Sequence, residues 1–398
     1  MKYAVPRKHR QYSAWPRLEE LCDIVTANAA RLSAEKFPFL DSDFEHVRVL
    51  CREACHKAAQ DYAKELHLPS PPPLTTPVVA TGHQSELYQA GVWVKNHLTF
   101  RLARALSGTS LNLIVDNDVP KHLGIVMPAR DGATARQVEA AFAERLAETA
   151  FEEHLPVVDA GDEFRAAVAR RATATPFQRN AIDLAGRILG ASGTGRSMAD
   201  VLTAVRLSYE RECGLSNVEL PVSRLSDTPG FGVFVGGVVA RAAEFAESYN
   251  SALAAYRSEH HIRYHVNPVP DLVTDSSHVE TPFWVWRTGG RRGRLFAARG
   301  GSSEVVLYDG KTEVGRLDTT SVQAASASWE LLVAMGVKIR PRALSTTLFM
   351  RLFVADIFVH GIGGARYDEV TDRIIKRFFG VEPPAYAVIS ATLAIEWP

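Results

Sequence analysis

The chain has 398 residues, 46% of them hydrophobic, enough to bury a sizeable core in one large domain with insertions or in two domains. Its 45 basic and 45 acidic side chains cancel, so no global field steers it toward nucleic acid or an anionic membrane, and the expected partner is a small molecule. Four cysteines are too few for a disulfide scaffold, no apolar run approaches the roughly 20 residues of a membrane span, and without a basic-then-apolar leader the expected compartment is the cytoplasm.

In chain order, residues 1–68 read as an N-terminal helical arm, with an apolar stripe in "HVRVLCREACHKAAQDYAKEL", and 69–77 ("PSPPPLTTP") as a proline-rich linker. Residues 78–130 read as a βαβ unit: a strand breaking at Thr81-Gly82, a helix through about Leu106, and a second strand, "LNLIVDND". The continuous apolar runs of both strands are those of a parallel sheet covered on both faces, so the fold class expected is α/β. Residues 131–334 read as an insertion, helical to about 216 and an antiparallel meander over 282–317, where Gly-Gly and Asp-Gly turns separate short β-prone runs. Residues 335–398 complete the core with the apolar helix "TTLFMRLFVADIFVH", the turn "GIGGA" and a last helix stopped by Gly380 and Pro383-Pro384.

Ligands of open α/β sheets collect at the carboxyl ends of the strands, where a glycine turn exposes N–H groups at a helix start. Thr81, Gly82, His83, Gln84, Gly91, Lys95 and Asn96 fall there and suit a phosphate or carboxylate, although neither a Walker loop nor a dinucleotide fingerprint is present. The alternative is an ordinary βα loop with a surface lysine. At the end of the second strand, Asp116 and Asp118 are two apart and are expected to leave the sheet on one face, with Asn117 between them. They are candidates to anchor an amine, hold Mg²⁺ or act as a base; the plain alternative is a polar loop with an N-cap. Asp356 and His360 are expected one helical turn apart, facing the crevice or sealing the core, beside Gly361, Gly363 and Gly364. Arg340 and Arg342 are candidates for fixed positive charge. Trp284 and Trp286 read as one face of a strand, Cys51 and Cys55 as a buried helix face, and His260, His261 and His265 lack zinc-site spacing, so no metal is assigned.

Three segments together resemble the bacillithiol biosynthesis cysteine-adding enzymes: "TGHQSELYQAGVWVKN", "LNLIVDND" and "GIGGARYDEVTDRIIKRFFGVEPP". They are similar to that family's Thr-Gly-Gln-Gln turn and helix, its acidic second-strand end, and its late glycine turn and helix, over residues 77–130 and about 335–390. The resemblance implies a Rossmann-like core related to class I aminoacyl-tRNA synthetases and nucleotidyltransferases, split by insertions, and an activity joining cysteine to a glucosamine-malate conjugate through an amide. It places Thr81, Gly82 and Gln84 in the first turn, Asp116 and Asp118 in the acidic cluster, and Gly361 and Gly364 in the late turn. Three positions depart: His83 stands for a glutamine, Asn117 interrupts the acids, and Ala365 stands where the family has an acid. The family also continues into a dimerising coiled coil that this sequence does not contain, and the oligomeric state is left open.

The expectation is therefore a divergent, ligase-like enzyme joining an amino acid to an amine-bearing small molecule. Asp116, Asp118 or His83 would serve in proton transfer, and the residues do not fix a cofactor: ATP or another nucleotide with Mg²⁺ is the candidate. A metal-dependent nucleotide or nucleotide-sugar transferase using Asp116-Asn117-Asp118, and a non-catalytic nucleotide-binding module, are the alternatives. Ligand-induced stabilisation without turnover would mark the last.

Overall fold

The computed structural model describes residues 3–131, 134–156, 161–172, 178–192, 195–264, 269–275 and 277–394; His265 of the histidine group lies outside them. Its centre is a mixed six-stranded sheet with five parallel strands: Val78–Gln84, Thr109–Val115, Val218–Pro221, Ile357–His360 and Ala387–Thr392. Numbered by their order in the chain, these lie 3-2-1-4-5 across the sheet. Gln11–Trp15 adds an antiparallel edge beside the last of them. The order reverses between Val78–Gln84 and Ile357–His360, where Thr81 pairs with Val359, and such a reversal opens a crevice at the carboxyl ends of the two strands.

The strands form because their apolar runs are covered on both faces. Val78, Ala80, Leu111 and Leu113 are buried in a large core on one face, and Val79 packs with Ile357, Val359 and Leu102 on the other. Phe44–Glu65 is capped by the Asp43 carboxylate, which accepts from His46 N at 2.8 Å. Its stripe of Val47, Cys51, Cys55 and Ala59 lies in the first core. There it meets Pro229–Val239, a helix apolar all round and buried along nearly its whole length. A Cβ on Gly232 of that helix would fall 2.2 Å from the Trp329 ring, so only glycine lets the two approach.

Several expectations change. The N-terminal segment is part of the core and no separate arm, since its first strand joins the sheet and Leu21 and Val25 pack against Val79. Residues 124–141, taken partly as helix, form the antiparallel hairpin Gly124–Asp131 and Thr134–Ala141. The insertion is interrupted by Val218–Pro221, a four-residue strand of the main sheet too short to show a period. The meander is present as Val279–Arg287, Gly293–Arg299, Glu304–Asp309 and Thr312–Asp318, with Val337–Pro341 on its far edge; that strand belongs to the insertion's sheet and not to the core. The apolar run "TTLFMRLFVADIFVH" is a helix from Ala343 to Phe349, a π-turn over Met350–Val354 and then the strand Ile357–His360. Gly380 ends the last helix in the left-handed region (φ 72°). Among the described residues no helix is long and apolar enough to cross a membrane.

Candidate active site

The strand Val78–Gln84 carries three residues beyond the expected break, so Thr81 and Gly82 are inside it. Thr81 Oγ1 donates to Val359 O at 2.8 Å and is fully buried, stapling the two strands that flank the reversal. The turn proper spans Ser85 to Gln89, and the helix Ala90–Ala105 starts there without a side-chain cap. A Cβ on Gly91 would sit 3.0 Å from Ala391 O: this glycine seats the helix against the neighbouring strand and is not placed to touch a ligand. Asn96 is likewise committed, its amide donating to Glu210 Oε1 at 2.6 Å.

Lys95 occupies the crevice. It is 4% exposed, its ammonium donates to Gly82 O at 2.6 Å, and a Cβ on Gly361 would lie 3.9 Å from its Cδ. The two glycine-bearing corners, 82 and 361, therefore meet across one lysine. Among the described residues no carboxylate pairs with it, and burial alone pushes its pKa down to about 7. The helix Ile362–Ile374 also begins here, N-capped by Gly361 without a side-chain bond, so its first N–H groups have no side-chain acceptor. His83 stands beside Lys95, its Nδ1 donating to Gln84 O at 3.0 Å and its ring edge-on to Tyr88. Burial first, and the charge of Lys95 second, push His83 down to about 3. The ring is therefore held in its neutral form near neutrality.

Asp116 and Asp118 part company. The strand ends at Val115, one residue before the alternation that was to align them. Asp116 turns to one side, accepting from Ser223 N at 2.9 Å and Ser223 Oγ at 2.5 Å; burial, then Glu152, pushes it up to about 7 against those bonds. Asp118 turns to the other, accepting from Gln84 Nε2 at 2.7 Å and Arg292 Nη1 at 2.9 Å. Asn117, between them, donates to Pro341 O at 2.7 Å. The pair is therefore no bidentate metal clamp. Among the described residues no three His, Cys, Asp or Glu side chains converge on a point that would hold a metal ion.

His360 ends its strand at this edge and shares Asp368 with Arg351: Nε2 lies 2.6 Å, and Arg351 Nη1 3.0 Å, from Asp368 Oδ2. Burial would raise the Asp368 carboxyl, but His360 and Arg351 outweigh it and hold it below the usual range. A Cβ on Gly364 would fall 2.9 Å from His360 Nδ1, whereas Gly363 faces open space. Asp356 does not join them. It precedes the four-residue strand and lies at the opposite end of the sheet, because the expected helix is a strand there and four residues span its whole length.

Both arginines of the meander edge are occupied. Arg340, 1% exposed, is bonded to Glu152 and Asp227. Arg342 pairs with Glu280 at 2.8 Å and lies over Trp284, whose ring also carries Arg292. Trp286 is 2% exposed and donates to Glu153.

Sequence reasoning missed Ser223, Glu152, Arg206 and Asp368. Ser223 follows the short strand "VELP" and was reachable by the strand-end rule applied to Asp116, had that strand been seen. Arg206, Glu210 and Glu219 form a buried network bonded to Asn96 and Asn112; the i,i+4 spacing of Arg206 and Glu210 signals one pair of it, but no spacing brings in the other members. Comparison with models of known protein families and with curated proteins gives no match.

Proposed function

We propose that the chain is an enzyme whose core is Rossmann-like, that it binds the phosphate or carboxylate of a small substrate over Gly82, Lys95 and Gly361, and that it forms an amide in the manner of the cysteine-adding enzymes it resembles. The observation that carries the reading is Lys95: a buried ammonium with, among the described residues, only a carbonyl for partner, at the reversal point of a 3-2-1-4-5 sheet. An isolated buried cation costs stability, and an anion seated on it restores the charge balance. The uncapped start of Ile362–Ile374, beside Lys95 at Gly361, adds N–H donors for the same group, so the residues fit an anion such as a nucleotide phosphate. When bound, ATP or another nucleotide would supply the activation of the carboxyl that amide formation needs. Lys95 and that helix start would hold the charge that develops on oxygen. The carboxylates Asp116 and Asp118 diverge, which removes the geometric support for a metal-dependent transferase.

A thermal-shift panel of ATP, inorganic phosphate, amino acids and amino sugars on the wild-type chain and on Lys95→Met tests this, with mass spectrometry of every stabilising mixture. Stabilisation by ATP or phosphate in the wild type and its loss in the variant is the expected result. Equal stabilisation of both proteins, or none in either, overturns the anion site. Stabilisation without any new mass marks a binding module instead of an enzyme.

A further inference from the structure

On the far side of the 116–118 loop from Lys95 lies a cavity of about 330 Å³, bounded by the ends of two parallel strands and roofed by the Val337–Pro341 strand. Asp116 and Ser223 line its floor, Ser197 and Asp200 one wall, and Lys338 and Arg340 the roof. It is at the small end of the range for ligand pockets. We infer that this cavity is a site for a small hydroxylated ammonium ion, with Asp116 as its counter-charge. In the ligase reading it would be the seat of the amine substrate; only that assignment rests on the proposed function, while cation binding does not.

The argument is one of charge. The cationic residues at the cavity are Arg224, Lys338 and Arg340. Arg340 is bonded to Glu152 and Asp227, Lys338 to Glu152 and Glu153, and Arg224 to Glu65. Each is thus hydrogen-bonded to a carboxylate other than Asp116 and Asp200, although Arg224 and Arg340 also act on Asp116 through space. Asp116 is bonded to Ser223 and Asp200 to Ser197, and among the described residues neither has an ion-pair partner. Asp116 is 3% exposed, so water does little to screen it. The groups acting on it are Glu152 from the Phe151–Glu153 turn, Ser223 from the strand end, Arg340 from the roof, and Arg224 and Tyr62 from the helices beside it. Burial and Glu152 raise its pKa to about 7, the state of a carboxylate that lacks a cation. An ammonium placed there ionises it, and the hydroxyls of Ser197 and Ser223 are at hand for hydroxyls on the ligand. An anion would meet Asp116 and Asp200, and the cations around them are each already bonded to another carboxylate.

The test uses 2-amino-1,3-propanediol against glycerol, its neutral counterpart, and inorganic phosphate, with saturation-transfer NMR on the full chain. The amine is expected to bind and glycerol and phosphate not to bind at this cavity. Binding should tighten roughly tenfold from about pH 6 to about pH 8 as Asp116 ionises, and Asp116→Asn should abolish it. Thr288→Trp, which fills the exposed mouth without touching the charge network, should abolish it in a folded protein even if Asp116→Asn does not fold. Lys95→Met should leave it unchanged, so failure here and failure of the anion site are told apart. Equal binding of glycerol and the amine, or amine binding that survives Thr288→Trp, overturns the inference.

Discussion

The two ends of the central sheet handle buried charge in opposite ways. At the amino end, Asp356 is fully buried and saturated: Arg48 lies 2.8 Å and Arg52 2.9 Å from its oxygens, and Val78 N donates at 2.6 Å. At the carboxyl end, Lys95 has one carbonyl and Asp116 one serine residue, and burial moves both toward neutrality, to about 7. The amino end spends its charges on the fold. The carboxyl end leaves a cation and an acid under-compensated at two separate places, as sites that receive ligands do.

The comparison breaks most visibly at Asp356. Asp356→Ala leaves two buried arginines and a backbone N–H without their acceptor, and should cost about 3–5 kcal/mol in chemical denaturation while ATP affinity of the folded fraction stays the same. Lys95→Met should do the reverse, raising unliganded stability by roughly 1–3 kcal/mol while abolishing the ATP-induced thermal shift. The pH dependence sharpens this. Lys95 falls from 10.5 to about 7 in the folded state, so the unfolded chain binds the extra proton between those values and stability rises with pH there. The advantage of Lys95→Met is thus full below about pH 7 and fades as the pH approaches 10.5, which denaturant titrations at successive pH values would show. Asp116 has the opposite sign. Its pKa rises from 3.8 to about 7, the folded chain holds the proton longer, and stability falls across that window; Asp116→Asn should flatten that slope. The smallest effect belongs to Thr81→Val, which removes one buried hydroxyl bond between the central strands and should cost about 1 kcal/mol without altering ATP binding.

The parallel strands at 78 and 109 and the meander were legible because each has a local signature: continuous apolar runs in the first case, turn dipeptides between alternating runs in the second. The apolar runs also pointed to an α/β chain and none approached the length of a membrane span; the described residues form a mixed α/β fold with no helix long and apolar enough to cross a membrane. The last helix and its glycine stop were readable for the same reason. Val218–Pro221 was not, since four residues give periodicity nothing to work with, and neither was the switch from helix to strand before His360, where an apolar run fits both conformations.

What the residues alone determined, then, was the set of strand ends carrying polar groups: Gly82, Asp116 and the Gly361–Gly364 turn. Only the tertiary structure decided which of those groups are matched, because compensation of a buried charge comes from partners hundreds of residues away, such as Arg48 and Arg52 for Asp356. Sequence spacing holds no trace of such a partner, and it is the presence or absence of that partner that separates a charge holding the fold together from one left open to a ligand.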